Sequence, residues 1–349
     1  MLPFSVESCF ADTPAIVDKA AESDLRVQLL IAEFLMLRNQ EPKAQHIYQT
    51  LAFRDYNPAL LERALSISIE QGNISQSLGI ARHWVEVDPN NIPALFYLAH
   101  LALRDHQYEQ ASAALDQILT YDPEAALDRV FDGIYPENPE DRQQLLQALK
   151  TLEGHDNPAL MVLAAGLMMD NHQYVEALSK VNHALSRQPD VSAFIILKAN
   201  LLQAQGLVQE TGQWLESQTR LYPANKSLKL FEIRFLLKQN ESAHALKKLD
   251  SVIRRWPDDG EILLLAGLIS IDQQHYQQAE KYLLQLVTHD DYVDQAYYYL
   301  AINAERQQRF TVAETYFKQV QSPELYQKSQ QKLALLRVAH NRFNEAISG

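Results

Sequence analysis

Few residues in this 349-residue sequence have the types and spacing that catalysis requires. Nucleophilic catalysis needs a Ser or Cys held beside a His and a carboxylate, and no stretch of the chain marks such a group. The single cysteine, Cys9, predicts neither an intrachain disulfide nor a thiolate metal site. We therefore expect no catalytic residue and no enzymatic activity.

The eleven histidines also lack the spacing of metal ligands. The sequence contains neither a His-Glu-x-x-His pair nor a Gly-rich phosphate loop, and helix capping explains the acidic cluster His289-Asp290-Asp291. His106, His172 and His275 each stand just before an aromatic residue, which indicates the turn of a repeat. The sequence predicts no metal site and no cofactor.

Charge and hydropathy exclude two further classes of protein. With 44 acidic and 31 basic side chains, the formal net charge of -13 repels nucleic-acid phosphates, so we expect no nucleic-acid partner. The longest apolar stretches, such as residues 262–271, are about half of the roughly 20 residues that cross a bilayer, so no transmembrane segment is predicted. Ten Gly residues and no Asn-Gly turn favour an all-α chain.

The elements that position these residues repeat along the chain. Small residues recur at spacings of 67, 66, 68, 34, 34 and 33 residues, at Ala44, Ala111, Ala177, Ala245, Ala279, Ala313 and Ala346. An aromatic residue stands three positions before several of them, and Pro recurs with the same period. Small residues let two helices approach, the aromatic residue fills the turn, and Pro ends the second helix. Each repeat is therefore a helix, a turn and an antiparallel second helix.

These residues resemble the tetratricopeptide repeat (TPR), most plainly in residues 92–123 and 260–291. The resemblance predicts an all-α fold, a right-handed TPR superhelical solenoid of about ten helix-turn-helix repeats. The repeats begin near Asp24, Pro58, Ile92, Glu124, Pro158, Ser192, Lys226, Gly260, Asp294 and Gln327.

The predicted domain organisation has four parts. Residues 1–23 form a flexible leader, residues 24–123 the N-terminal TPR repeats, and residues 158–349 the C-terminal TPR repeats. Between them, residues 124–157 form a degenerate repeat, which we expect to remain a looser helix pair with a kink or change of curvature, because Tyr135–Pro139 breaks its helix early.

The last predicted repeat is truncated. Gly349 follows Ala346 by three residues, so the second helix of this repeat is cut short. Repeat arrays need a polar cap over their last apolar face. We expect either that the chain is a fragment of a longer repeat protein or that another subunit covers this end, which also allows self-association.

In TPR arrays the first helices line a concave groove that holds partners. Carried over to this sequence, the resemblance selects a partner groove formed by Phe96, His100, Leu103, Arg104, Val162, Met169, Ile196, Asn200, Leu230, Arg234, Leu237, Leu264, Leu268, Ile271, Tyr298, Ile302 and Arg306. Apolar side chains with single charges among them suit an extended or helical peptide with apolar anchors. The alternative is that these side chains pack against a neighbouring repeat or a second copy of the chain.

The run Tyr297-Tyr298-Tyr299 could be read as an aromatic cage. Successive helical residues point about 100° apart, so the three rings cannot share one face. We expect Tyr297 in the core, Tyr298 in the groove and Tyr299 between repeats.

The order of variant segments is also similar to one bacterial group, the periplasmic TPR lipoproteins that are adaptors of a carboxyl-terminal processing protease. The similarity lies in residues 30–34, residues 81–89, Asn157-Pro158 and residues 296–301. It implies a periplasmic protein, tethered to the outer membrane in a full-length parent, that brings substrates to the protease. The sequence has no lipidated N-terminus of this group. The alternative is a cytoplasmic TPR scaffold for assembly of envelope or secretion machinery.

Overall fold

The computed structural model describes residues 25–54 and 57–348, with side chains as far as Val338. The predicted leader, residues 1–23, lies outside the described residues, as does Cys9. In the two described ranges the secondary structure is helical, with no strand. The helices, numbered here in chain order, are α1 Leu25–Leu37, α2 Glu41–Arg54, α3 Pro58–Glu70, α4 Ile74–Val87, α5 Ile92–Arg104, α6 Tyr108–Tyr121, α7 Pro139–Leu149, α8 Pro158–Asp170, α9 Tyr174–Arg187, α10 Ser192–Ala204, α11 Val208–Leu221, α12 Lys226–Lys238, α13 Ser242–Arg255, α14 Gly260–Asp272, α15 Tyr276–Leu286, α16 Val293–Arg306, α17 Phe310–Phe317 and α18 Pro323–Ser348.

The helices are arranged as pairs that follow one another along the chain. Within each pair the first helix contacts the second helix, as α5 contacts α6. Many second helices also contact the next first helix, as α4 contacts α5. First helices of neighbouring repeats also touch, as α14 and α16 do. The predicted fold class, an all-α TPR-type solenoid of helix-turn-helix repeats, is confirmed.

Contacts divide the chain into two compact units, Met1–Gln188 and Pro189–Gly349. Helices α1 to α9 belong to the first, called here the N-terminal unit, and α10 to α18 belong to the second, the C-terminal unit. The predicted domain limits after residues 23, 123 and 157 stay predictions.

Asn and Asp side chains set the starts of several first helices. Asn57, Asn91, Asn157, Asn225 and Asp259 each precede a first helix and accept a hydrogen bond from a backbone N–H of its first turn. Such a cap satisfies one of the N–H groups that a helix start leaves without a partner and stabilises the helix by about 1 kcal/mol. The caps therefore fix where each repeat begins.

The turn inside each complete repeat has the same backbone conformation. One residue has φ between 55° and 76°, namely Asn39, Gly72, His106, His172, Gly206, Asn240, Gln274 and Gln308. In the third repeat Gln107 N–H donates to the Ala102 carbonyl at 2.8 Å, and His106 N–H donates to the Leu103 carbonyl at 3.3 Å. These bonds form a Schellman motif, which ends the first helix and reverses the chain.

The degenerate repeat differs from the prediction. Residues 122–138 form turns and bends where a first helix was expected, and α7 follows them. The prediction of a helix pair is wrong here, because Pro123, Pro136 and Gly133, with a φ of 65°, interrupt any helix. Leu127 and Val130 of this segment are nevertheless buried, so the irregular chain still fills the place between α5 and α8.

The last repeat also differs. Helix α18 runs without interruption from Pro323 to Ser348, through the point before Phe343 where the pattern predicts a turn. A continuous helix keeps the backbone hydrogen bonds that a turn at this point would give up.

Candidate partner-binding face

Four apolar side chains on two neighbouring first helices form the candidate site. Leu264 and Leu268 lie one turn apart on α14, and Tyr298 and Ile302 lie one turn apart on α16. All four are partly exposed, and the two helices contact each other. Residues four apart share a helix face. We call this surface the α14–α16 strip.

Buried clusters beneath the strip hold three of its four side chains in place. Leu264 and Ile302 pack against a core that includes Leu263 and Leu283. Tyr298 packs against a second core, where its ring lies 5.8 Å from that of Phe317 at an interplanar angle of 68°. The strip is therefore the outer half of a packed interior, and a partner would meet side chains that are already ordered.

The three consecutive tyrosines point in different directions. Tyr297 stacks on Tyr316 with ring centroids 6.3 Å apart, and Tyr299 packs against the core shared by α14 and α16. Tyr298 meets the edge of Tyr299 at 5.2 Å. Packing against different neighbours, and not one shared cage, accounts for the three rings.

A cluster of charges lies at the start of α14. Lys226 Nζ is 2.7 Å from Asp259 Oδ2 and 3.7 Å from Glu261 Oε2, and Arg234 lies 2.5 Å from the other oxygen of Glu261. The hydrogen bond to Asp259 raises the pKa of Lys226. Burial alone would raise the pKa of Asp259, but the bonds from Lys226 and the Ile262 N–H lower it on balance. Both groups are therefore charged at neutral pH.

Sequence reasoning missed this charge cluster. Lys226 and Asp259 are 33 residues apart, which is about one repeat length. Opposite charges at that spacing could have indicated an ion pair between neighbouring repeats. The predicted groove residue Arg234 is part of the cluster, which places an ion pair beside the apolar strip.

Three residues predicted to line the groove are core residues. Leu103, Leu230 and Ile271 are 2%, 2% and 4% exposed, so they cannot contact a partner, and the prediction is wrong for them. Leu230 belongs to the buried cluster of α10 to α14, and Ile271 to the cluster beneath the strip. The reason is that one helix turn carries both groove-facing and neighbour-facing positions, and sequence spacing does not separate them.

The predicted groove residues of the N-terminal unit do not form one helical face. Phe96, His100, Arg104, Val162 and Met169 retain partial or full exposure. The irregular residues 122–138 lie between their two helices.

That irregular segment makes direct contacts on both sides. The Val130 carbonyl lies 3.0 Å from His100 Nδ1 on α5, and Tyr135 Oη donates to Asp170 Oδ2 on α8 at 2.7 Å. Burial, and then the hydrogen bond to Asp170, raises the pKa of Tyr135. The structure therefore separates these predicted residues instead of bringing them together.

The other predicted groove residues of the C-terminal unit lie outside the strip. Ile196 and Asn200 lie on α10 and Leu237 on α12, all partly exposed. Arg306 is exposed but donates to the Ile271 carbonyl at 3.2 Å, which ties α16 to the end of α14. Leu264, Leu268, Tyr298 and Ile302 are thus the predicted residues that form a compact apolar surface.

The described ranges contain neither a metal site nor a membrane span. No group of three or more His, Cys, Asp or Glu side chains there could hold a metal ion. No helix among those residues is long and apolar enough to cross a membrane.

A family model described as tetratricopeptide repeat matches residues 233–288 and 270–328. Residues 233–328 therefore resemble tetratricopeptide repeats. They include the whole of α14 to α17 and therefore the entire strip. Proteins with these repeats generally mediate protein–protein interactions and are typically not catalytic.

Solved structures also resemble this chain. A tetratricopeptide repeat protein from Parabacteroides merdae is 15% identical over 79% of this chain and 97% of its own, with a TM-score of 0.42. Yeast Tom70 is 12% identical over 93% and 97%, with a TM-score of 0.46. YrrB, described as a TPR protein with an unusual peptide-binding site, is 15% identical over 58% and 100%, with a TM-score of 0.40. These scores are too low to say what this chain binds. No curated protein sequence matches significantly.

Proposed function

We propose that this chain is a non-catalytic scaffold that binds a partner protein or peptide on the α14–α16 strip. The observation that carries the proposal is the set of four partly exposed apolar side chains on two packed first helices within the TPR sequence. An extended or helical segment with apolar anchors at similar spacing fits this surface. Charged groups of both signs at the start of α14 would fix its orientation.

The size of the strip indicates the strength of binding. Covering the exposed part of each half-buried apolar side chain contributes about 1 kcal/mol. Association costs at least about 4 kcal/mol in lost freedom, so four such side chains alone roughly break even. Other groups, such as the charges at the start of α14, must therefore add to the affinity.

A more specific role rests on sequence likeness. We propose a periplasmic adaptor, tethered to the outer membrane in a full-length parent, that brings substrates to a carboxyl-terminal processing protease. The support is the likeness of residues 30–34, 81–89 and 296–301 to that lipoprotein group. A cytoplasmic scaffold for assembly of envelope or secretion machinery is the alternative, which the same repeats and acidic charge would serve equally well.

A pull-down from bacterial envelope extract tests this role, with bound proteins identified by mass spectrometry. We expect the chain to recover a carboxyl-terminal processing protease, and the double variant Leu268→Asp/Ile302→Asp to recover at least about tenfold less, since each buried carboxylate costs more than 1.4 kcal/mol. The matched control is Leu284→Asp on α15, whose side chain is 48% exposed outside the strip.

The controls separate the two parts of the proposal. Circular dichroism must show that the double variant keeps its helical content. Recovery of assembly factors without the protease would remove the adaptor role and favour the scaffold alternative. Equal recovery by the double variant and by Leu284→Asp would instead show that the strip is not the contact surface.

A further inference from the structure

One repeat of the C-terminal unit carries a charge opposite to that of the chain. Residues 226–255 contain eight Lys and Arg against three Asp and Glu, a net charge of +5, whereas the whole chain carries -13. The remaining residues therefore carry -18. A local positive region in an acidic protein attracts anionic groups over short distances and is screened by salt.

The positive region surrounds a cavity of about 380 Å³ between α11, α12 and α13. Its lining includes Arg220, Lys229, Lys247 and Lys248. This volume is within the usual range for ligand pockets, about 300 to 1,000 Å³. The cavity is therefore large enough for several side chains of a partner.

A buried ion pair forms the floor of the cavity. Glu232 is 4% exposed, with Oε1 2.6 Å from Lys248 Nζ and Oε2 accepting from Thr219 Oγ1 at 3.0 Å. The same repeat position holds the buried Leu98 and Leu300 in two other repeats. A charged pair therefore lies where those two repeats have a buried leucine, and it makes this part of the interior polar.

The rim of the cavity keeps positive charges that no neighbour neutralises. Lys248 is matched by Glu232, and Arg220 is paired with Glu216 at 3.2 Å. Neither Lys229 nor Lys247 forms an ion pair with any residue that the structure describes. These two ammonium groups are therefore available to a ligand.

This cavity is a different surface from the predicted groove. On α12, Lys229 and Glu232 project about 140° and 160° away from Arg234, a predicted groove residue that is exposed. The cavity also involves the second helices α11 and α13, whereas the strip lies on first helices. A ligand here would not compete directly with one on the strip.

We propose that this cavity binds an acidic segment of a partner polypeptide. Carboxylates of the segment would lie against Lys229 and Lys247, and polar groups of the floor would form hydrogen bonds with its backbone. A nucleic acid fits less well, because a polyanion longer than the positive region is repelled by the net charge of -18 on the remaining residues. This inference goes beyond the strip and does not depend on it.

The test is fluorescence anisotropy with a labelled six-residue peptide of alternating Glu and Asp, titrated with the full chain at low salt. We expect saturable binding that weakens as salt is raised. The double variant Lys229→Glu/Lys247→Glu should weaken it at least about tenfold, which corresponds to 1.4 kcal/mol. The neutral variant Lys229→Gln/Lys247→Gln should have an intermediate effect and guards against misfolding of the first.

The matched control is Lys281→Glu/Lys328→Glu, which makes the same change of net charge at exposed lysines of α15 and α18. This control should change the affinity less than about twofold. Absence of peptide binding, equal weakening by both charge-reversed variants, or tighter binding of a single-stranded oligonucleotide would each overturn the proposal. The strip variant Leu268→Asp/Ile302→Asp should leave peptide binding unchanged. A failure of the cavity proposal can therefore be distinguished from a failure of the strip proposal.

Discussion

The variant Lys248→Met is expected to lower the free energy of unfolding by about 2 kcal/mol. The variant leaves Glu232 as an unpaired charge that is 4% exposed, with Thr219 as its remaining partner. Breaking a fully buried pair costs about 3–5 kcal/mol. We take a lower value because the Lys248 side chain is 23% exposed. Urea unfolding followed by circular dichroism measures the loss, and hydrogen exchange of α12 locates it.

The matched variant is the double replacement Glu232→Leu/Lys248→Met. Replacing both partners leaves no uncompensated charge. It also places a leucine at the repeat position that Leu98 and Leu300 occupy in two other repeats. We expect its stability to equal or exceed that of the wild type. A single variant as stable as the wild type, or a double variant less stable than the single, would contradict this account of the ion pair.

The variant Gly267→Val is expected to lower the free energy of unfolding by about 3 kcal/mol. A Cβ atom at Gly267 would lie 2.6 Å from Leu283 Cδ2 and 2.8 Å from its Cγ. Leu283 is fully buried at the centre of its cluster, so it has no free space to move into. The two helices α14 and α15 would have to separate. Thermal unfolding measures the effect.

Gly79→Val in α4 is the control for this prediction. A Cβ atom at Gly79 meets nothing within 4 Å, and valine has a higher helix propensity than glycine. We expect no loss of stability there. A similar loss at both positions would mean that the close approach of α14 and α15 does not explain the requirement for glycine at Gly267.

The sequence predicted the helical architecture because the architecture is local and repeated. Small residues every 34 positions mark where two helices approach, and these positions include Ala279 and Ala313, both fully buried. The turn before each second helix follows from hydrogen bonds within a few residues. Such short-range rules are the same in every repeat, so one well-preserved repeat indicates the others.

The irregular segment and the buried groove positions could not be predicted in the same way. Prolines explain why residues 122–138 are not helical, but their path between α5 and α8 depends on contacts such as the one between Val130 and His100. Leu230 and Leu264 occupy equivalent repeat positions, yet the first is buried and the second partly exposed. Burial depends on the size of side chains in adjoining repeats, which periodicity does not give.

The groove prediction includes the four residues of the α14–α16 strip, and their contact with a partner stays a prediction. The cavity on α11 to α13 was not predicted. Its residues Lys229, Glu232 and Lys248 occupy repeat positions that hold apolar or solvent-facing residues in other repeats. A comparison of charge from repeat to repeat would have marked this segment.

Photo-crosslinking shows whether a partner binds on the α14–α16 strip. A photoreactive phenylalanine analogue replaces Leu268 in one variant and Leu284 in another, and each is irradiated in bacterial envelope extract. We expect the partner to be linked at Leu268, on the strip, and not at Leu284, on the second helix α15. A partner linked at Leu284 and not at Leu268 would show that the strip is not the binding surface.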